Sequence, residues 1–510
     1  MKARILFLPV MLFIFIFSVF SQEAPPGDFS AELQSDSIFV INSFVFNIDG
    51  YTRPFALINK AELIVGEEIR GLSNLEKYIQ NKQQLLYNER VLESARIEHS
   101  IGPMREDGKY PVDLVIYVKD TWNIIAIPRP QYDSNSGFDI TIKARDYNFL
   151  GTMNPLRLDL GYRHDEIGRD FFTFMLDSDI PFRALGLNWN LNFDNYFNYR
   201  PDMSQPFYYK NVTGLSVELP LGTTTLNIGF EESLFYYEEN SDSDKPLYGD
   251  FQDGIYLSSN PYISWRIPTG FEVGDYGELA YTPSFSAVFN HELPQWPLDE
   301  NRRGPFLNFS HSLGFGRIDW IGNFLKGYSA NVSNSFSYNF YNARNNLEPL
   351  TVSYSITGKG HFIVSDFFGI SARLMFNQWI NTTNDSAGDR LRGVKDKDVS
   401  ADYMLSLNLD LIFRVLRFRL SEWLNNPKLR IFDFDLHLAP IMDVAFSHNP
   451  ASGTVLGFNR LNLTGGLELI VFPDFFRSLF LRISAAADVY EILAYKKRTL
   501  ELFIGTELHY

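Results

Sequence analysis

The sequence predicts a mainly-β chain: a transmembrane antiparallel β-barrel of about 16 strands, preceded by one small α+β domain. Three observations predict it. The first is alternation. After about residue 137, short runs recur in which every second residue is apolar, as in Tyr403, Leu405, Leu407, Leu409, Leu411 and Phe413. Met404, Ser406, Asn408, Asp410, Ile412 and Arg414 lie between them. Odd and even side chains of a strand point to opposite faces, so one face is greasy and the other mostly polar. The second is that no run of 18 apolar residues occurs beyond residue 30. A membrane chain of this kind is therefore held by strands, with lipid outside and a wet lumen inside. The third is the contrast between residues 37–120, which carry helical periodicity, and everything after them.

The elements follow in order. Residues 1–21 read as a secretory signal peptide, with Lys2 and Arg4 before the apolar stretch Ile5–Phe20 and small residues before Gln22. Residues 22–36 are a polar, proline-containing linker. In residues 37–120, Ile38–Ile48 is a strand and Pro54–Ala61 a helix. Ser73 and Glu76 fit a capping box before a helix carrying Leu75, Ile79, Leu85 and Leu86. Strands follow at Ala95–Ile101 and Val112–Val118. The order is β-α-α-β-β, enough for one small core. Residues 121–510 form the barrel. Leu185, Leu187, Trp189, Leu191 and Phe193 make one greasy face, alternating with Gly186, Asn188, Asn190 and Asn192. Phe432–Leu438 and Leu479–Ala485 repeat the pattern. At about 23 residues per strand with its loop, the chain from Gly137 accommodates the even count expected of a bacterial barrel. Long polar connections at 239–248 and 381–398 suit the extracellular side, and the chain ends in a strand, Leu500–Tyr510.

Composition agrees and excludes other classes. The 46 Phe and 27 Tyr suit an apolar outer face with aromatic girdles. The mean hydropathy is only −0.14, as expected when lumenal polar residues dilute the signal. The formal charge is −16, and loss of Lys2 and Arg4 with residues 1–21, which hold no Asp or Glu, makes it −18. Such a chain lacks the basic footprint that nucleic acid requires. There is no cysteine, hence no disulfide, thiol nucleophile or thiolate metal site. No Gly-x-Ser-x-Gly elbow, phosphate loop or dinucleotide fingerprint occurs, and the eight His are scattered. No enzyme activity and no cofactor are expected.

The chain resembles the Omp85 superfamily (BamA- and TamA-like outer-membrane proteins), over nearly its whole length from Ile38 to Tyr510. Leu391-Arg392-Gly393-Val394 resembles the family's Val-Arg-Gly-Phe/Tyr loop motif, with Val394 in the aromatic's place. Ile441-Met442-Asp443-Val444-Ala445 resembles its Phe/Gly-x-Asp-x-Gly strand motif, and Asp410 stands where the family often has Glu. Asp146–Gly151 resembles the end of the family's first barrel strand. Gly505-x-x-Leu508-x-Tyr510 resembles the sorting signal of outer-membrane barrels. The resemblance implies that residues 37–120 are a POTRA domain in the periplasm and that the barrel lies in the outer membrane. It implies partners too: unfolded outer-membrane or secreted client proteins, outer-membrane lipid and a periplasmic accessory protein.

The resemblance also implies that Arg392, on a loop folded into the barrel, pairs with the lumenal carboxylates Asp410 and Asp443. Gly393 would let that loop turn tightly. A guanidinium suits this task because it stays charged and binds carboxylates with two donors. The residues alone also allow Asp410 and Asp443 to line a wet pore with Arg392 exposed. The barrel is expected to close where Gly137–Tyr147 meets Leu500–Tyr510, with Gly505 weakening that seam. The implied function is insertion or export of client proteins. The central assembly proteins of the family usually carry several POTRA domains and two-partner secretion transporters two, whereas this chain has length for one. A passive channel and a structural docking protein are the alternatives.

Overall fold

The computed structural model describes residues 37–133, 137–164, 168–201, 207–222, 224–237, 254–274, 277–295, 297–298, 300–394, 399–449, 457–495 and 499–505. The expected signal peptide and linker, the 239–248 loop, Leu508 and Tyr510 lie outside these residues.

The first elements are β1 (Ile38–Asp49), α1 (Pro54–Lys60), β2 (Glu68–Arg70), α2 (Leu72–Asn88), β3 (Leu92–Ile101) and β4 (Lys109–Asp120). The four strands form one sheet in the order β2-β1-β4-β3, so the short β2 is an addition to the expected order. Pro54 opens α1, where its missing N–H costs nothing. The expected capping box is not the start of α2. That helix begins before Ser73, and the Leu75 N–H bonds to the carbonyl of Gly71, whose φ of 82° suits a residue without Cβ. Alternation in β4 buries Val112, Leu114, Ile116 and Val118 on one face.

Among the described residues eighteen antiparallel strands close into a barrel, two more than expected. They are β5 (Ile124–Asp133), β6 (Gly137–Asp146), β7 (Leu156–His164), β8 (Asp170–Ala184), β9 (Leu187–Tyr199), β10 (Phe207–Leu221), β11 (Thr224–Tyr237), β12 (Ile255–Glu272) and β13 (Glu278–Glu292). Then come β14 (Phe306–Ile321), β15 (Phe324–Asn339), β16 (Leu350–Ser365), β17 (Phe368–Ile380), β18 (Tyr403–Phe418), β19 (Phe434–His448), β20 (Arg460–Pro473), β21 (Leu481–Asp488) and β22 (Glu501–Gly505). Two physical features explain the miscount. Several hairpins are tighter than a mean repeat of about 23 assumes. Only Leu185 and Gly186 join β8 to β9, both with positive φ, as a twisted two-residue turn demands. The barrel also starts earlier than Gly137. Pro128 and Pro130 make Ile124–Asp133 read poorly as a strand, because proline offers no ladder donor. This strand nonetheless pairs with β6 on one side and neighbours β22 on the other. The expected seam is corrected accordingly: β22 meets β5, and Gly137–Asp146 is the second strand.

Burial runs opposite to that of a soluble protein. On β18, Met404, Ser406, Asn408 and Asp410 are buried, whereas Leu407 on the other face is exposed. On β19, Asp435, His437, Asp443 and Ser447 are buried while Met442 and Phe446 are exposed. Cross-strand register agrees, with Leu409 opposite Met442 on the outer face and Asn408 opposite Asp443 on the inner. Polar groups avoid water by bonding to each other inside, and apolar groups face outward, which is stable where the surroundings are hydrocarbon. No described helix is long and apolar enough to cross a membrane, a fact silent about strands.

The chain divides into two compact units. One comprises Met1–Val45, Ile64–Asn81 and Glu98–Val115, the other Phe46–Leu63, Lys82–Ile97 and Ile116–Tyr510. In the first, Asp113 accepts bonds from Asn42 (2.7 Å) and Ser43 (2.5 Å). In the second, the C-terminal end of α2 and the start of β3 meet barrel turns. Asn88 exchanges bonds with the Asp319 carboxylate (2.8 Å) and the Trp320 N–H (2.9 Å). Arg90 lies over the Trp320 ring at 4.4 Å, and Arg477 donates to the Leu92 carbonyl at 2.7 Å.

The chain's entry into the barrel is tied by one carboxylate in the same unit. Asp120 accepts from the N–H groups of Tyr51 and Thr52 (2.7 and 3.0 Å), from the Thr52 hydroxyl (2.7 Å) and from Asn148 (3.1 Å). Asn148 belongs to the Asp146–Gly151 segment, which is the β6–β7 connection. Asp120→Ala strands these donors, at about 1–3 kcal/mol for each one left buried and unpaired. The expected result is faster chymotryptic cleavage after the exposed Tyr51, with the barrel core still protected.

Candidate functional site

The connection between β17 and β18 folds into the lumen. A bridge between Asn384 and Ala401 closes its neck, and the Ala387 N–H bonds to the Val399 carbonyl at 2.9 Å. A single 3-10 turn, Ala387–Arg390, then redirects the chain. Ala387, Leu391, Val394, Val399 and Ala401 pack with Met404 of β18 and Ala445 of β19, and Trp379 closes the cluster. This small apolar core inside a polar lumen holds the loop there, because releasing it would return those side chains to water. Asn408 adds a polar tie by donating to the Arg390 carbonyl at 3.0 Å, while its own oxygen accepts from Arg373 at 3.0 Å.

The turn delivers Arg392 to two strands at once. Its Nη2 and Nε donate to Asp443 Oδ1 (2.6 Å) and Oδ2 (3.1 Å), and its main-chain N–H donates to the same Oδ2 at 2.7 Å. Its Nη1 stands 2.7 Å from Asp410 Oδ1 in an ion pair. Asp443 is fully buried and Asp410 and Arg392 nearly so, at 0, 6 and 5 % exposure. They therefore do not line an open wet pore. Charges so far from water survive only when paired and bonded, and a two-pronged guanidinium can satisfy one carboxylate with two donors while reaching a second.

Gly393 follows with φ +82°, and a Cβ there would sit 2.6 Å from the Ala487 nitrogen and 2.8 Å from the Ala486 carbonyl carbon of β21. The loop thus rests directly on a strand backbone, which only glycine allows. The Gly393 N–H donates to Glu501 of β22 at 2.5 Å. Gly393→Ala is expected to lift the loop tip from β21 and lose this bond. The check is increased protease access to residues 381–394 in an otherwise folded barrel.

Glu501 links the loop to the seam, and the sequence reading missed it. Its inward parity was readable, since Leu500, Leu502 and Ile504 are the apolar set, but nothing in one dimension sets it beside Gly393. A further inward network flanks the seam. Glu468 of β20 and Arg482 of β21 pair at 3.2 Å, Arg482 lies 4.3 Å over the Phe503 ring, and Arg129 of β5 lies 5.1 Å from the same ring. Arg129 Nε donates to the Ile504 carbonyl at 2.9 Å. A side chain thus contributes to the junction of β22 with β5, a strand in which Pro128 and Pro130 have no main-chain donor. Gly505 leaves room for the Phe503 ring, whose nearest carbon would stand 2.3 Å from a Cβ.

Of the expected site residues, Arg392, Gly393, Asp410 and Asp443 come together, and Gly505 lies on β22, separately from them. Leu508 and Tyr510 are outside the described residues. Among the described residues no cluster of His, Asp or Glu could hold a metal.

The fold and the site define a closed barrel with a polar interior and an apolar outer face, an inserted loop clamped to its wall, and a seam between its first and last strands. No protein-family model matches the chain, and neither does any curated protein. Among solved structures it is similar to BamA from Haemophilus ducreyi lacking POTRA domains 1–3, at 14% identity over 91% of this chain and 83% of that one, TM-score 0.37. It is similar to CdiB from Acinetobacter baumannii at 12% identity, covering 92% of this chain and 74% of that one, TM-score 0.44. CdiB from Escherichia coli aligns at 9% identity over 94% and 92%, TM-score 0.42.

Proposed function

We propose that this protein is an Omp85-type outer-membrane assembly or translocation factor. In this reading residues 1–21 are its signal peptide, residues 37–120 a periplasmic POTRA-type domain and residues 121–510 the barrel. The observation that carries it is the clamp: Arg392 bonded to carboxylates of two neighbouring strands, with the next residue bonded to Glu501 on the strand at the seam. An inserted loop held in this way braces the wall on one side of the seam.

In this reading the wall parts at the seam. Among the described residues β22 comprises only Glu501–Gly505, and its neighbour β5 carries two prolines, which have no main-chain donor. An open strand edge cannot face hydrocarbon for long, so a client strand entering a parted seam supplies the missing bonds. The small domain's edge strands, β2 and β3, offer an extended client the same kind of pairing before it reaches the barrel. No nucleotide is required, because the client's own folding supplies the free energy.

The test uses the full chain in liposomes, with an unrelated unfolded barrel protein as client. Faster client folding with the wild type supports the reading. No acceleration by demonstrably folded protein removes the insertase form and leaves export of a dedicated client. Large steady conductance would favour a passive channel instead.

A further inference from the structure

The β18–β19 connection, 419–433, is long for the end of the barrel that carries the α2 contacts. It is also well tied. The buried Asp433 accepts from the Ser421 N–H at 3.0 Å and from the Ser421 hydroxyl. These bonds hold the carboxyl below the usual carboxylate range against the opposing cost of its burial. Arg419 pairs with Asp435 at 2.8 Å and Asp474 at 3.3 Å. Two short helical turns, Leu420–Trp423 and Pro427–Phe432, are fixed to the barrel by these bonds.

This ordered elbow nevertheless exposes its largest apolar side chains. Trp423, Leu424, Ile431 and Phe432 are 63, 62, 49 and 57 % exposed. Their side is set by packing: Trp423 lies edge-on to Phe418 at 4.9 Å, and Phe418 stacks on Phe434 at 5.2 Å. Phe418 is opposite Phe434 and Leu416 opposite Leu436, in the outward row of the barrel, so Trp423 continues the lipid-facing surface past the last rung. The elbow carries Arg419, Lys428 and Arg430 against Glu422 and Asp433, a slight positive excess in an acidic chain, with Arg419 held by Asp435 and Arg430 by Glu93 at 2.7 Å. Lys428 is exposed, whereas Arg417 lies opposite Asp435 in the inward row and stands 3.6 Å from it.

We infer that the 419–433 elbow is an interfacial anchor that seats in the phospholipid leaflet at the α2 end of the barrel and takes an anionic headgroup on Lys428. Rigid aromatic and aliphatic groups suit the boundary between headgroups and chains, and basic side chains beside them suit anionic lipid. Because β18 and β19 also carry Asp410 and Asp443, the anchor ties the clamped wall to the bilayer. The inference rests on the reading of the barrel as membrane-embedded.

The absence of cysteine makes single-cysteine probes direct. Leu424→Cys, Leu407→Cys on the outer face of β18 and the exposed Glu106→Cys are each labelled with a fluorophore in the full chain. The proteins are placed in vesicles of phosphatidylethanolamine and phosphatidylglycerol carrying nitroxide at the headgroup or mid-chain. At Leu424 the expected quenching is strongest with the headgroup nitroxide and several times that at Glu106. It should weaken in phosphatidylcholine vesicles and with Lys428→Gln. Quenching at Leu424 no greater than at Glu106, with Leu407 well quenched, overturns the anchor and points to a protein partner for the elbow. Loss of quenching at Leu407 as well overturns the membrane reading and the anchor together.

Discussion

Arg392→Ala is expected to remove most of the proposed client-directed activity while leaving a folded barrel. The substitution deletes the group that bonds to Asp443 with two side-chain donors and pairs with Asp410. Both carboxylates are then buried without their cation, and breaking a buried pair in this way costs about 3–5 kcal/mol. Only the inserted loop has to move to relieve that cost, since it can leave the lumen and admit water to the two carboxylates. The strand ladders, each made of many main-chain bonds, do not depend on it. Client folding in liposomes and protease access to residues 381–394 are the two readouts. Arg392→Lys separates charge from geometry: a single ammonium restores the charge but not the two-pronged bond. The expected order of activity is wild type, lysine, alanine. Full activity of well-expressed Arg392→Ala protein, with the loop still protected, would end the clamp as a functional element.

Asp443→Arg is the second large effect. Asp443 is fully buried, and its carboxylate accepts bonds from Nε, Nη2 and the main-chain N–H of Arg392. Arginine there sets two guanidinium groups side by side at a fully buried position, with Asp410 beside Arg392. Repulsion and the lost bonds act in the same direction, so the loop should leave the wall more completely than in Arg392→Ala. The double variant Arg392→Asp with Asp443→Arg restores opposite charges, though not the main-chain bond from residue 392 in its present geometry. Partial recovery of loop protection in the double variant is therefore expected, read by the same proteolysis. Protection in Asp443→Arg equal to wild type would mean that the apolar cluster around Leu391 and Val399, not the ion pairs, holds the loop.

Much of the barrel was legible because an apolar outside and a polar inside force a local pattern. A strand between hydrocarbon and a polar lumen must alternate, so Leu405, Leu407 and Leu409 predict the outer face of β18, and Ser406, Asn408 and Asp410 the inner one. The same parity argument put Asp443 inside. It was less secure at β5, where two prolines break the propensity that marks a strand and only the neighbours on either side reveal the pairing. Helix caps were similarly local yet misplaced by Ser73, because Gly71 begins α2 instead.

Taken alone, the sequence determined the barrel with its apolar outer face, the inward direction of Asp410 and Asp443, the lack of thiol chemistry and the small α+β segment ahead of the barrel. These are properties of residue type and period. The tertiary structure decided which groups meet. The count of eighteen strands, the β5–β22 closure, the bond from Gly393 to Glu501 and the placing of Trp423 beside the outer row all join residues that are far apart in sequence or set by turn geometry. Such encounters depend on register around the whole ring, where one residue's slip reverses every face, and the local pattern does not carry that information.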